Sequence, residues 1–301
     1  MSTPRDPRQE HGGTYFVQDR SNEEELTRVA IQDQMTTAGM GGVLPEQPDP
    51  ARFRQVLDVG CGTGDWLIEV AKTYPDISRL VGIDVNHKMI EYARTQAEVQ
   101  QVSDRVEFRL MDALQMLEFP TDYFDLVNQR FGVSYLRTWD WPKLLHEYQR
   151  VTRPRGIIRI TEATFITESS SPALIRIYEL TRNTLYRAGH LFTLDNNGVT
   201  SELAGLLKQP GIQNVQAHTH ALEYRAGTAE GRLFYEDMRQ VFRTALPFYQ
   251  KWGQAPVDYE AITQQALSEM QQPDFMATWI LLTAWGTKPL KHTKAAPTPE
   301  A

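Results

Sequence analysis

The chain has 301 residues, 41% hydrophobic and 23% charged, the balance of an ordinary globular protein with a sizeable core. A formal net charge of −7 argues against a nucleic-acid partner, because phosphate binding needs a positive field. No apolar run is long enough to span a membrane, and no hydrophobic stretch opens the chain, so neither a span nor a secretory signal is expected. The single cysteine, Cys61, cannot close an internal disulfide, which fits a reducing, cytoplasmic compartment.

Polar residues 1–13 and 290–301 read as disordered tails. Ser21 and Glu24 have capping-box spacing, and Leu26, Val29 and Ala30 follow on one face, predicting a helix over 22–37. A Gly/Pro linker from Gly41 to Pro50 leads into a strand at 55–59. Leu67, Val70, Ala71 and Tyr74 then mark a helix that stops before Pro75. The alternation continues with a strand at 79–83 and a helix capped by Asn86 that buries Met89, Ile90, Ala93 and Ala97. Strands follow at 106–110 and 124–127, then a helix with Pro142 in its first turn, a turn at 153–156 and a strand at 157–161. Strand and helix alternating in this way predict a doubly wound parallel α/β sheet.

Beyond residue 165 the spacing predicts helices over 172–188, 201–208, 232–246 and around 259–270. Strands are expected near 215–224 and 278–285. The parts read as one domain over 1–301. Its core covers about 52–165, 201–225 and 277–289, and cap segments cover about 14–40, 166–200 and 226–275.

Residues 56–64 carry the chemistry. The apolar strand ends in Asp58-Val59-Gly60-Cys61-Gly62-Thr63-Gly64, so three glycines lie two apart where the strand opens into a helix. Glycine there lets backbone approach a ligand closely and tolerates positive φ. Dinucleotide folds use G-x-G-x-x-G, and Asp65 does not supply that pattern. The G-x-G-x-G spacing resembles motif I of the class I S-adenosylmethionine-dependent methyltransferases. Asp84, at the end of the second strand, resembles the family acid that binds both ribose hydroxyls. Asp112 and Ala113, after the third strand, resemble the adenine-binding pair. Asn128 ends the predicted fourth strand, beneath the place where the family holds the sulfonium.

The likeness covers about residues 52–165, and it is strongest to the ubiquinone/menaquinone-type and natural-product small-molecule enzymes. It implies a Rossmann-like seven-stranded sheet with an antiparallel last strand and helical cap insertions. The implied cofactor is S-adenosyl-L-methionine, bound by Asp58, Gly60, Cys61, Gly62, Asp84, Asp112, Ala113 and Asn128. Base-modifying relatives carry a [D/N]-P-P-[Y/F] segment, whereas this chain has Asn128-Gln129-Arg130-Phe131, so DNA and RNA are poor substrates. A small, largely apolar acceptor methylated by in-line displacement is expected, on a monomer or homodimer with no membrane span. The alternative is a methyltransferase-fold cyclase, or another enzyme that retains the cofactor site without methylating.

His190 and Glu162 are the candidate general bases. Tyr15, Tyr178 and Tyr186, with Phe16, are candidate acceptor contacts in the cap segments. Cys61 reads as a small structural residue because no activating base accompanies it. His218 and His220 alternate on a strand and face one side, but no third ligand is evident, so no metal site is expected.

Overall fold

The computed structural model describes Tyr15 and residues 23–290. Phe16, Ser21, Asn22 and the expected tails at 1–13 and from 291 onward lie outside the described residues. Helix α1 (Glu23–Gly39) precedes β1 (Gln55–Val59), α2 (Asp65–Thr73), β2 (Arg79–Asp84), α3 (His87–Val99), β3 (Val106–Leu110), β4 (Phe124–Arg130), α4 (Trp141–Val151) and β5 (Thr152–Ala163). There follow β6 (Glu168–Ser169), α5 (Pro172–Arg187), α6 (Leu203–Lys208), β7 (Gln213–Arg225), α7 (Ala229–Thr244), α8 (Leu246–Lys251), α9 (Tyr259–Glu269) and β8 (Met276–Thr287).

The strands form one sheet in the order β3-β2-β1-β4-β5-β8, with β7 on the far side of β8. Strands β1 to β5 are parallel, and β8 runs antiparallel to both β5 and β7. The architecture is therefore the expected α/β one. Its eighth strand is the two-residue β6, paired with β8 at Glu168 and Ser169 and too short to read from sequence. Both faces of the parallel strands are covered. Leu57 and Val59 meet Leu144, Leu145 and Tyr148 of α4, while Val56 meets Trp66 and Leu67 of α2 and Ile90 of α3. A third cluster joins Met35 of α1 to Phe234, Met238 and Phe242 of α7 and Trp279 of β8.

Three boundaries differ from expectation. Strand β4 continues through Asn128, Gln129 and Arg130, whose side chains find interior partners in Asp58 and Arg159, in Tyr148, and in Asp33 respectively. The turn expected at 153–156 is an irregularity inside β5. Arg155 has φ +66°, and the β4–β5 register shifts between Phe124 and Leu126. The helix expected over 232–246 divides into α7 and α8 at Pro247, which lacks an amide donor and suits a first helical turn.

Register also builds a polar row through the sheet. Asp58 of β1 pairs with Asn128 of β4, and Asn128 with Arg159 of β5, so their side chains line up on one face. Asn128 Nδ2 donates to Asp58 Oδ1 at 2.7 Å, and Arg159 Nη1 donates to Asn128 Oδ1 at 2.8 Å. Arg159 Nε then donates to Glu46 Oε1 at 2.7 Å, with both side chains almost wholly buried. Burial opposes ionisation of Glu46, but Arg159 outweighs it and holds the carboxyl below its usual range. Removing one member would strand a buried charge. Arg159→Met should therefore lower unfolding free energy by about 3–5 kcal/mol in urea denaturation; a loss within error would show that the row carries no stability.

Candidate functional site

A cavity of about 540 Å³ opens at the carboxyl ends of β1, β2, β4 and β5, where the strand order reverses. Its floor includes Asp58, Gly60, Cys61, Gly62, Asp84, Asp112 and Ala113. The glycine loop has positive φ at Gly60 (+68°) and Gly62 (+53°). A Cβ on Gly60 would lie 2.7 Å from the Tyr135 hydroxyl, and one on Gly62 would lie 3.0 Å from Val29 Cγ1. Gly64 differs. It does not line the cavity, and a Cβ there would meet Phe108 at 2.5 Å, so this third glycine lets α2 pack against the sheet.

Asp84 holds the loop in place. Its Oδ2 accepts from Gly62 N at 3.0 Å and its Oδ1 from Asn86 N at 2.8 Å. Both oxygens of the carboxylate are thereby oriented at the edge of the cavity. Asp112 Oδ1 accepts from Leu114 N at 2.9 Å, shaping the turn that presents Ala113. Burial pushes the Asp58 carboxyl up to about 7, against the pull of Asn128 and Arg159. Burial, with Asp84 and Asp58, also raises the Cys61 thiol well above its usual value, which keeps it protonated and unreactive.

The remaining walls come from the cap segments and are largely apolar. Helix α1 contributes Arg28, Val29, Gln32 and Asp33. Helix α5 contributes Ile177, Tyr178, Thr181 and Leu185, and α7 contributes Met238, Val241 and Phe242. Phe131 and Trp279 stack at 5.9 Å on another side. Tyr15 also lines the cavity, and its hydroxyl donates to Glu25 at 2.7 Å.

Four residues named from sequence lie outside this cavity. Asn128 is fully buried beneath it, with its amide engaged by Asp58 and Arg159. Glu162 continues the face of Ile158 and Ile160 into the core and accepts from Val133 N at 3.3 Å. His190 is 1% exposed. Gly189 turns the chain at the end of α5, His190 N donates to Leu185 O, and Nδ1 lies 2.9 Å from Val133 O behind the wall. Tyr186 is 45% exposed on the outer side of α5, next to the inward Leu185. Thus neither general-base candidate touches the cavity. The two histidines at 218 and 220 stand with ring centroids 4.5 Å apart, and no cluster of three or more metal-ligating side chains occurs among the described residues.

The sequence reading missed Arg28, Gln32, Asp33, Arg130, Phe131, Tyr135 and Trp279, all of which line the cavity. Arg130 pairs with Asp33, and Arg28 pairs with Glu25 at 2.7 Å and with Asp237 at 3.3 Å, both charge sets tying α1 down. The one available signal was spacing, since residues 28, 29, 32 and 33 recur on one helical face.

The sheet is shared with known proteins. The methyltransferase domain family matches residues 56–156. Residues 56–156 are a methyltransferase domain. Over 99 residues the chain is 39% identical to a demethylmenaquinone methyltransferase of Lactiplantibacillus plantarum, covering 33% of this chain but only 40% of that relative. Over 279 residues it is 25% identical to the 27-O-demethylrifamycin SV methyltransferase of Amycolatopsis mediterranei, covering 93% of this chain and 85% of that enzyme. The methyltransferase fold is also that of phosphoethanolamine N-methyltransferase 2 from Haemonchus contortus. That structure has a TM-score of 0.54 and 16% identity, over 91% of this chain and 60% of the other.

Glu162 gives a test of the buried wall. Burial pushes its carboxyl up to about 8, although Val133, Gly132 and Gln129 pull it down. The folded state then holds a proton that the unfolded state releases near an ordinary carboxylate pKa, so Glu162 costs stability as pH rises from about 4.5 towards 8. Glu162→Gln should match the wild type near pH 4.5 and exceed it near pH 8.5 in urea denaturation. A difference that does not change with pH would contradict the assignment.

Proposed function

We propose that the chain transfers a methyl group from S-adenosyl-L-methionine to a small, largely apolar acceptor. The carrying observation is one continuous cavity that joins the glycine loop and Asp84 to an apolar chamber made by three cap segments. The residues suit the cofactor: two positive-φ glycines leave space that side chains would fill, and the Asp84 carboxylate lines the same cavity beside them. Asp84 would hold the ribose hydroxyls, Asp112 and Ala113 the adenine, and Asp58, Gly60, Cys61 and Gly62 the remainder. When bound, the cofactor supplies a methyl group already activated by its sulfonium.

The protein's task is then to align the acceptor and exclude water. Phe131, Trp279, Ile177, Met238 and Phe242 form apolar walls suited to both tasks, and Tyr178 offers a hydroxyl among them. Burial, with Asp237, raises that hydroxyl well above its usual pKa, so Tyr178 acts as a hydrogen-bond donor rather than a phenolate. Because His190 and Glu162 lie behind the wall, neither serves as the base in this reading.

Two further observations support a small-molecule acceptor. The rifamycin enzyme's likeness extends through the cap segments, and net charge −7 disfavours nucleic acid. No helix among the described residues is long and apolar enough to cross a membrane. The lone cysteine supports a cytoplasmic location, and the reading is of a monomer or homodimer in which residues 1–301 act as one domain.

Asp84 tests the proposal. Hydrogen bonds to a charged group contribute roughly 1.5–3 kcal/mol each, so Asp84→Ala should weaken S-adenosylmethionine binding by about ten-fold or more in calorimetry. Unchanged affinity would remove the cofactor assignment.

A further inference from the structure

The charged side chains on the cavity face of α1 are already committed. Arg28 is engaged by Glu25 and Asp237, one helical turn before Gln32, and Asp33 is engaged by Arg130 immediately after it. These ties fix the rotation of the helix from two sides. Between them stands Gln32, half-buried and lining the cavity, whose side-chain amide makes no hydrogen bond within the described chain. Its neighbour on the same face, Val29, rests against Gly62 of the glycine loop.

We infer that Gln32 binds the amino-acid end of the cofactor. The assignment rests on the cofactor reading above and follows the order of strands. With the adenine at the β3 end and the ribose at the β2 end, the rest of the molecule must run towards β1 and β4. That course passes over Gly60 and Gly62, beneath α1. A zwitterionic amino acid presents a carboxylate that needs donors and an ammonium that needs acceptors, and a carboxamide offers both. Arg28 and Asp33 would have to break buried ion pairs to do the same, at a desolvation cost that Gln32 does not incur. Helix α1 thus completes a cofactor site that the sheet alone leaves open on one side.

The test compares two ligands on the full chain by calorimetry. S-adenosylhomocysteine carries the amino-acid end, and 5′-methylthioadenosine carries the adenosine half without it. Gln32→Ala should weaken S-adenosylhomocysteine by about ten-fold and leave 5′-methylthioadenosine within about two-fold. Because the amide has no partner among the described residues, the melting temperature should not move, which separates lost recognition from lost structure. Unchanged affinity for S-adenosylhomocysteine, or equal weakening of both ligands, would overturn the assignment. A wild-type chain that binds neither ligand would overturn the cofactor reading itself, and the role of Gln32 with it.

Discussion

A row of buried polar groups holds the site in shape. Asp58, Asn128, Arg159 and Glu46 link β1, β4, β5 and the segment before β1 through hydrogen bonds of 2.7–2.8 Å, directly beneath the cavity. Desolvation makes such a row costly unless every member is paired, so its geometry is strongly specified. Asp58 is two residues before Gly60, and fixing its side chain fixes where the glycine loop leaves the sheet. Trp66 is placed by the same layer, with the Arg159 and Arg130 guanidinium carbons 6.0 and 5.7 Å from its ring centre and its Nε1 donating to Val43 O. The floor of the cavity is therefore rigid for electrostatic reasons as much as for packing.

The walls are built differently. Helices α5 and α7 meet the sheet through apolar contacts, and α1 adds two buried ion-pair sets, Asp33–Arg130 and Glu25–Arg28–Asp237. Burial raises the Asp237 carboxyl to about 6 even though Arg28 pulls it down. A rigid cofactor floor under separately attached helices suits an enzyme that must admit an acceptor and then shut out water. Elements attached through fewer contacts open more readily than the core.

Much of this was legible in the sequence. The glycine loop, Asp84, Asp112 and Ala113 sit where local patterns place them, because strand ends and turns are short-range features. Asn128 was misplaced because β4 continues through Asn128-Gln129-Arg130, which reads as a polar strand end. Only the register with Asp58 and Arg159 shows that it is interior. His190 looked like part of an active-site cover, yet Gly189 turns it under the wall. Tyr186 and Tyr178 lie on one helix, but their angular offset puts one in solvent and the other on the cavity. Asp33 and Arg130 come together from distant positions, and no local pattern marks such a meeting.

Hydrogen-exchange mass spectrometry with and without S-adenosylhomocysteine tests most directly whether the cavity joins cofactor floor and cap. Protection should appear at residues 60–64, 84–86 and 111–114, and also in α1 around residues 28–33 and in α5 over 172–187. Protection confined to the three loops would mean that the cap helices do not close over the ligand. No protection at the glycine loop would contradict the account at its centre.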